Sequence, residues 1–348
     1  MKKNIDILIV NNAPAFYKIN LYNELAKKCK IHVVFLALTN QVVIANTLKD
    51  DIHFSYEIIS PCQIEFRNKL KSFMKLYKII KQYAFKKIIF GGYDSFECMF
   101  LPYFTISSKN CIQFESSIRE SKVRGLVGFI KKIILKRYSI ALTSGNLQSM
   151  VFKELNFDGD LIETFGVGIF NKVKFENTKT AKPKLEISYV FVGRLIPLKN
   201  LEFLIKVFNK LSKKLTIVGT GYLESELKSI AGENISFKGF VSNDQIYKIY
   251  LENDVFILPS LSEPWGLVVE EAVYFNLPVL ISEAVGCQDE MVFRPNTGVS
   301  FSPNDENSLI SAIDKIEDDF SFYKDNCQSF NFEQRDLRQV ESYLKILQ

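Results

Sequence analysis

Histidine is nearly absent from this 348-residue chain, and cysteine is scattered. His32 and His53 are the only two histidines, so a histidine-rich metal site or a catalytic dyad of histidines is not expected. The six cysteines, at 29, 62, 98, 111, 287 and 327, form no C-x-x-C pair. That excludes the usual zinc and thiol-redox spacings and fits reduced thiols in a cytosolic protein. No apolar run reaches the roughly 18–20 residues needed to span a bilayer. The opening MKKNIDILIVNNAP is interrupted by Asp6 and followed by no small-residue cleavage pattern, so it reads as a first strand and not as a signal peptide. Neither half has a G-x-G-x-x-G after its first strand, which argues against a nicotinamide-dependent oxidoreductase. Short-period repeats and low-complexity tracts are lacking too.

The length suggests two domains, each large enough to bury a core. The net charge of +5 conceals an asymmetry: residues 1–175 carry 26 Lys and Arg against 14 Asp and Glu, while the remainder has a balance of −7. A basic first half and an acidic second half predict different partners for the two. The basic residues gather in 67–87 and 119–137. In IRESKVRGLVGFIKKIILKRYS seven Lys and Arg sit among Leu, Val, Phe and Ile. Such a helix either lies on an anionic membrane surface, where each cation contributes about 1 kcal/mol, or packs its apolar side on the core and solvates its basic side. For nucleic acid there is neither a recognition motif nor a set of interleaved stacking aromatics, so none is expected.

Along the first half, strand-like runs (IDILIV, IHVVFLAL, FSYEIIS, KKIIFGG, NCIQFE, SIALTS, DLIETFGV) alternate with helical ones. That pattern predicts βαβ units in a mostly parallel, doubly wound sheet. Residues 171–184, NKVKFENTKTAKPK, are polar and lysine-rich and mark the boundary. The alternation restarts at ISYVFVG and runs to GVSFSP, with a broken helical tail to Gln348. The expected domains are 1–170 and 171–330, with a cleft between their strand ends.

Candidate chemistry concentrates in the second half. Gly193-Arg194-Leu195-Ile196-Pro197-Leu198-Lys199-Asn200 follows a strand and precedes a helix. With Asn200 as N-cap, Arg194 and Lys199 lie at the turn, where two cations suit a phosphate or diphosphate; a solvated basic turn is the alternative. Gly219-Thr220-Gly221 is either a tight turn or a place of close backbone approach. The stretch DVFILPSLSEPWGLVVEEAVYFNLPVLISEAVG (254–286) reads as strand, loop, helix and strand, with Glu263 and the only Trp in the loop. A carboxylate there suits sugar or ribose hydroxyls. Continuous helix geometry would set Glu270 nearer than Glu271 to the face of Glu263, but a loop before the helix removes that argument, so spacing does not choose between them. Asp158-Gly159-Asp160 matches a metal-binding D-x-D yet reads as a polar turn.

These residues carry a resemblance. Glu263 and Glu271 in EPWGLVVEEA, Val192-Gly193-Arg194 with Lys199, the G-x-G at 219–221, Phe237 to Val241, Asp254 to Ser260 and NLPVLISEAVG are together similar to the ordered motifs of family 4 retaining glycosyltransferases (glycosyl transferases group 1). The match covers roughly residues 188–300. The resemblance implies the GT-B fold, an α/β architecture of two Rossmann-like doubly wound parallel-sheet domains facing across a cleft, with a C-terminal helix at about 331–348 crossing back to the first domain. It implies a nucleotide-sugar donor, held with Arg194 and Lys199 on the diphosphate. Glu263 and the backbone N–H groups of Gly266, Leu267 and Val268 would bind the sugar and β-phosphate. Glu271 would bind the ribose and the backbone near Val241 the base, while Gly193, Gly219 and Gly221 line the cleft. No metal and no cofactor are implied.

The first half departs from the family pattern. Asn11-Asn12-Ala13-Pro14 stands where many members have a Gly pair, and Gln113-Phe114-Glu115-Ser116-Ser117 where many have a histidine. Glu115 is the polar candidate facing the sugar, or a plain loop carboxylate, and Gly91-Gly92 closes a neighbouring strand. The expectation is a retaining, metal-independent glycosyltransferase of bacterial surface polysaccharide synthesis, such as capsule, O-antigen or lipopolysaccharide. It would act on a glycan or lipid-linked acceptor, in the cytoplasm or peripherally at the inner membrane face. A nucleotide-sugar epimerase and a non-catalytic sugar-nucleotide-binding protein are the alternatives.

Overall fold

Strand β1 (Lys3–Asn11) alternates its burial between two cores. Leu8 and Val10 point into one apolar cluster and Ile7 and Ile9 into the other, the period-2 consequence of a strand covered on both faces. The computed structural model describes residues 2–38, 51–175 and 186–348. The boundary expected at 171–184 therefore lies, from residue 176 on, outside the described residues.

Around β1 the strands β2 (Ile31–Phe35), β3 (Ser55–Ile58), β4 (Tyr83–Gly91), β5 (Asn110–Phe114), β6 (Ile140–Thr143) and β7 (Asp160–Glu163) form a parallel sheet in the order β3-β2-β1-β4-β5-β6-β7. A second parallel sheet has the order β10-β9-β8-β11-β12-β13. It is built from β8 (Tyr189–Val192), β9 (Leu215–Val218), β10 (Ile235–Gly239), β11 (Val255–Leu258), β12 (Val279–Ser282) and β13 (Gly298–Phe301). Both are Rossmann-like, and in each the strand order reverses once, between β1 and β4 and between β8 and β11. Those reversals are where an open α/β sheet offers room for ligand beyond its carboxyl ends.

Helices cover the sheets by their apolar stripes. In Leu201–Leu211 the buried residues Leu201, Leu204, Ile205 and Phe208 follow the i, i+3, i+4, i+7 spacing, as an amphipathic helix requires. The chain divides into two compact units, Met1–Asn171 with Glu333–Gln348, and Lys172–Phe332. The final helix, Phe332–Leu344, sends Val340 and Tyr343 into the core that holds Ile7 and Ile9, and Ile346 just beyond it joins them. Arg335 Nε ties this helix down by donating to the Phe165 carbonyl at 2.9 Å.

All six cysteines are free. His32 is buried, stacked on Tyr83 with ring centroids 4.4 Å apart, a packing role. Asp158 and Asp160 are exposed at the amino end of β7, the edge of the sheet opposite the ligand-binding one, with Gly159 backed against the Ser139 carbonyl. They form a turn.

Candidate active site

In the second unit the loops after β8 and β11 meet at the strand-order reversal. Lys199 Nζ forms an ion pair with Glu263 Oε2, and both side chains are largely shielded, 14% and 16% exposed. Two charges withdrawn from water this far attract each other strongly, and removing either leaves an uncompensated charge. The expected N-cap does not form. Asn200 adopts a left-handed conformation (φ 55°, ψ 37°) and makes no capping bond. Its side-chain amide instead donates to the Pro303 carbonyl at 2.7 Å, so Asn200 ties the loop after β13 to the one carrying Lys199. The Leu261 N–H donates to the Leu198 carbonyl at 2.8 Å, which fixes the two loops together. Arg194 is exposed and, among the described residues, makes no ion pair.

The Glu263 loop is also laced to the one after β12. Glu263 N–H donates to Ala284 O, Gly286 N–H to Glu263 O and Cys287 N–H to Trp265 O, at 3.3, 2.9 and 3.0 Å. At its end Gly266 has φ +100° and leads into the helix Leu267–Tyr274. The first-turn N–H groups of a helix have no intrahelical acceptor and carry its positive dipole end, so those of Leu267 and Val268 are available to an anion beside Lys199. A methyl on Gly266 would meet Val285 Cγ1 at 3.1 Å and Val269 Cγ2 at 3.3 Å, on a backbone that L-residues resist. Gly266→Ala is expected to lower stability by about 1–2 kcal/mol, which urea unfolding would measure.

Two adjacent glutamates separate here in role. Glu270 is fully buried and accepts from the Trp265 indole N–H at 2.5 Å, so it braces the loop from beneath. Glu271 is half-buried and accepts from the Tyr250 hydroxyl at 3.1 Å. Burial raises its carboxyl pKa to about 7; the Tyr250 bond works against the shift and the Glu270 charge adds to it. Tyr250 stacks on Phe275 at 5.4 Å and, by burial first, keeps its proton far above neutrality, so it remains the donor. Neither Trp265 nor Tyr250 was a sequence candidate; the signal for Trp265 was a lone indole needing an acceptor five residues away.

The G-x-G after β9 serves close packing. A Cβ on Gly219 would fall 1.9 Å from the Gly193 carbonyl oxygen, and one on Gly221 2.1 Å from that of Leu195. Gly193 and Leu195 donate to Val218 and Thr220. The glycines thus press the Arg194 loop against its neighbour. Val241 is half-buried in the loop after β10.

The first unit holds a cavity of about 270 Å³ at its own strand-order reversal, lined by Asn11, Asn12, Gly91, Gly92, Gln113 and Glu115 among others. Glu115, just beyond β5, pairs with Lys18 Nζ and accepts from Gln113 Nε2 at 3.0 Å. Lys18 is 4% exposed and escaped the sequence reading, although its place on the buried stripe with Tyr22 and Leu25 demanded a partner for its charge. Asn12 Oδ1 and Gln113 Oε1 are buried acceptors with no hydrogen-bond partner among the described residues. Among these residues no group of three or more His, Cys, Asp or Glu is placed to hold a metal.

Comparison with known proteins places these features. The family model for glycosyl transferases group 1 matches residues 172–328. An uncharacterized glycosyltransferase of Methanocaldococcus jannaschii is 32% identical over 142 residues, 38% of this chain and 36% of that protein; the chain thus spans about a third of that relative's length. An uncharacterized 41.2 kDa protein in the cps region of Klebsiella pneumoniae is 25% identical over 257 residues, 70% of each chain. Among solved structures, Anabaena HepE in complex with UDP superposes with a TM-score of 0.71 at 14% identity, covering 98% of this chain and 100% of that one. The apo lipopolysaccharide outer core galactosyltransferase WaaB gives 0.70 at 12% identity, covering 98% and 99%. The structures bear on fold alone. The fold is of GT-B type, with two Rossmann-like units, and the stretch 172–328 is the part of the chain that matches glycosyl transferases group 1.

Proposed function

We propose that the protein transfers a sugar from a nucleotide-sugar to a hydroxyl of a glycan or lipid-linked acceptor, with retention and without a metal. The observation that carries this reading is the Lys199–Glu263 pair at the β8/β11 reversal, set beside the first turn of Leu267–Tyr274. Lys199 and Arg194 would neutralise the diphosphate, the N–H groups of Gly266, Leu267 and Val268 would hydrogen-bond its β-phosphate, and Glu263 would accept from a sugar hydroxyl. Two cations and a helix N-terminus then offset the charge that grows on the departing diphosphate. Glu271 would accept from the ribose and the backbone at Val241 would meet the base. In the first unit the free acceptors Asn12 Oδ1 and Gln113 Oε1 suit hydroxyl donors of a sugar, with Glu115 as the catalytic carboxylate of that cavity and Lys18 fixing its position.

The Klebsiella relative from a cps region supports work in surface polysaccharide synthesis, in the cytoplasm or at the inner membrane face, and a fold shared with HepE, seen with UDP, is compatible with a donor of nucleoside diphosphate type. A thermal-shift screen against UDP-, GDP-, ADP- and dTDP-sugars, followed by turnover with the stabilising donor, tests it. The expected outcome is stabilisation by one base class and transfer that survives EDTA, with the anomeric configuration kept by NMR. Epimerised donor without acceptor, or no nucleotide binding at all, would overturn the reading.

A further inference from the structure

The first unit carries an apolar face that its own residues leave uncovered. On the helix Gly125–Leu135 only Gly128, Ile134 and Leu135 are buried, while Leu126 is 75% and Phe129 61% exposed and Ile130 and Ile133 are exposed with them. A helix that packed by its apolar stripe would hide these residues. Neighbouring segments extend the face. The Tyr103 hydroxyl donates to the Ile133 carbonyl at 3.4 Å, and exposed Phe104 packs edge-on against Phe73 and Tyr77 of the helix Lys69–Gln82. That helix adds Leu70 and Met74, both exposed, with Phe66 one turn earlier.

The charge around this face is mostly of one sign, exposed Glu65 beside Phe66 excepted. No Asp or Glu occurs between Phe66 and Tyr93 or between Ser121 and Lys153, and these two stretches hold 15 Lys and Arg. Arg67 is spent in a buried pair with Glu97; others, such as Lys71, Lys78, Lys122 and Arg124, are exposed. A second copy docking by the same face would set like charge against like charge across it. Apolar side chains flanked by cations match the boundary between acyl chains and anionic headgroups. No helix among the described residues is long and apolar enough to cross a membrane, so the contact is one of lying on a surface.

We propose that this face docks the first unit on an anionic lipid bilayer, with Leu126, Phe129 and Ile130 entering the acyl boundary and Lys71, Lys122 and Arg124 on headgroup phosphates. The inference rests on surface chemistry and stands apart from the transfer reading. Sedimentation with phosphatidylcholine vesicles, with and without phosphatidylglycerol, tests it. The expected result is binding to the mixed vesicles, weakened at least about tenfold by omitting the anionic lipid or raising the salt. The triple variant Leu126→Gln, Phe129→Gln, Ile130→Gln should lose more than about tenfold in partitioning at an unchanged unfolding midpoint, since those side chains are exposed when folded. Absence of binding to anionic vesicles at low salt, or binding that ignores the triple variant, overturns the proposal. A concentration-dependent dimer that the variant dissolves, without vesicle binding, would assign the face to a second copy instead.

Discussion

Lys199→Ala is expected to raise the Kd for a nucleotide-sugar about ten- to hundredfold, the value of a charge-assisted hydrogen bond of about 1.5–3 kcal/mol. The nucleoside diphosphate alone should weaken by a similar factor, because Lys199 would hold phosphate and not the sugar. Lys199 is engaged by Glu263, so a diphosphate would compete with that carboxylate for the ammonium group. Glu263→Gln therefore separates the roles. It should keep or slightly improve binding of the free diphosphate, by releasing Lys199, while turnover of the sugar donor falls. Isothermal titration with both ligands reads this out. Unchanged donor affinity in Lys199→Ala would remove the diphosphate assignment.

Glu271→Ala should weaken the nucleotide by about tenfold or more, whereas Glu270→Ala should leave nucleotide affinity near wild type and lower stability by about 1–3 kcal/mol, because the Trp265 indole N–H would be left without an acceptor. The pH dependence gives a second signature. Folding raises the Glu271 pKa from 4.5 to about 7, so between those values the folded state holds a proton that the unfolded state has released. Stability from this group thus falls as pH rises through that window and levels off above it. Ribose hydroxyls are better accepted by the carboxylate, so nucleotide affinity should climb as pH passes through about 7. Glu271→Gln should flatten both profiles, in urea unfolding and in titration; a wild-type slope in the variant would assign the titration elsewhere.

The alternation of runs was enough to read both parallel sheets, because strands buried on two faces are continuous apolar stretches such as ILIV and VFIL. The loop chemistry was harder. Asn200 looked like an N-cap because its residue type favours that position. The same short side chain also tolerates the left-handed region, and its contact with Pro303 lies 103 residues away in sequence. Helical period could not choose between Glu270 and Glu271; what distinguishes them is Trp265 beneath one and Tyr250 beside the other, both tertiary facts. Lys18 and Glu115 are 97 residues apart, and no local pattern joins them. On Gly125–Leu135 the sequence offered two readings of an amphipathic helix, a membrane-facing one and a core-facing one with its charge in water. The structure leaves much of the apolar side itself in water, since only Gly128, Ile134 and Leu135 of that helix are buried.

The final helix has a bearing on how the protein is made. Chains usually fold domain by domain as they emerge, amino-terminal part first. Here the amino-terminal core lacks Val340, Tyr343 and Ile346 until residues 340–346 are synthesised, so the unit translated first is completed only after the second. A nascent chain would wait with Ile7, Ile9 and Tyr22 incompletely covered while the whole second unit is built. Early termination near residue 330 would harm the half of the protein farthest from it in sequence.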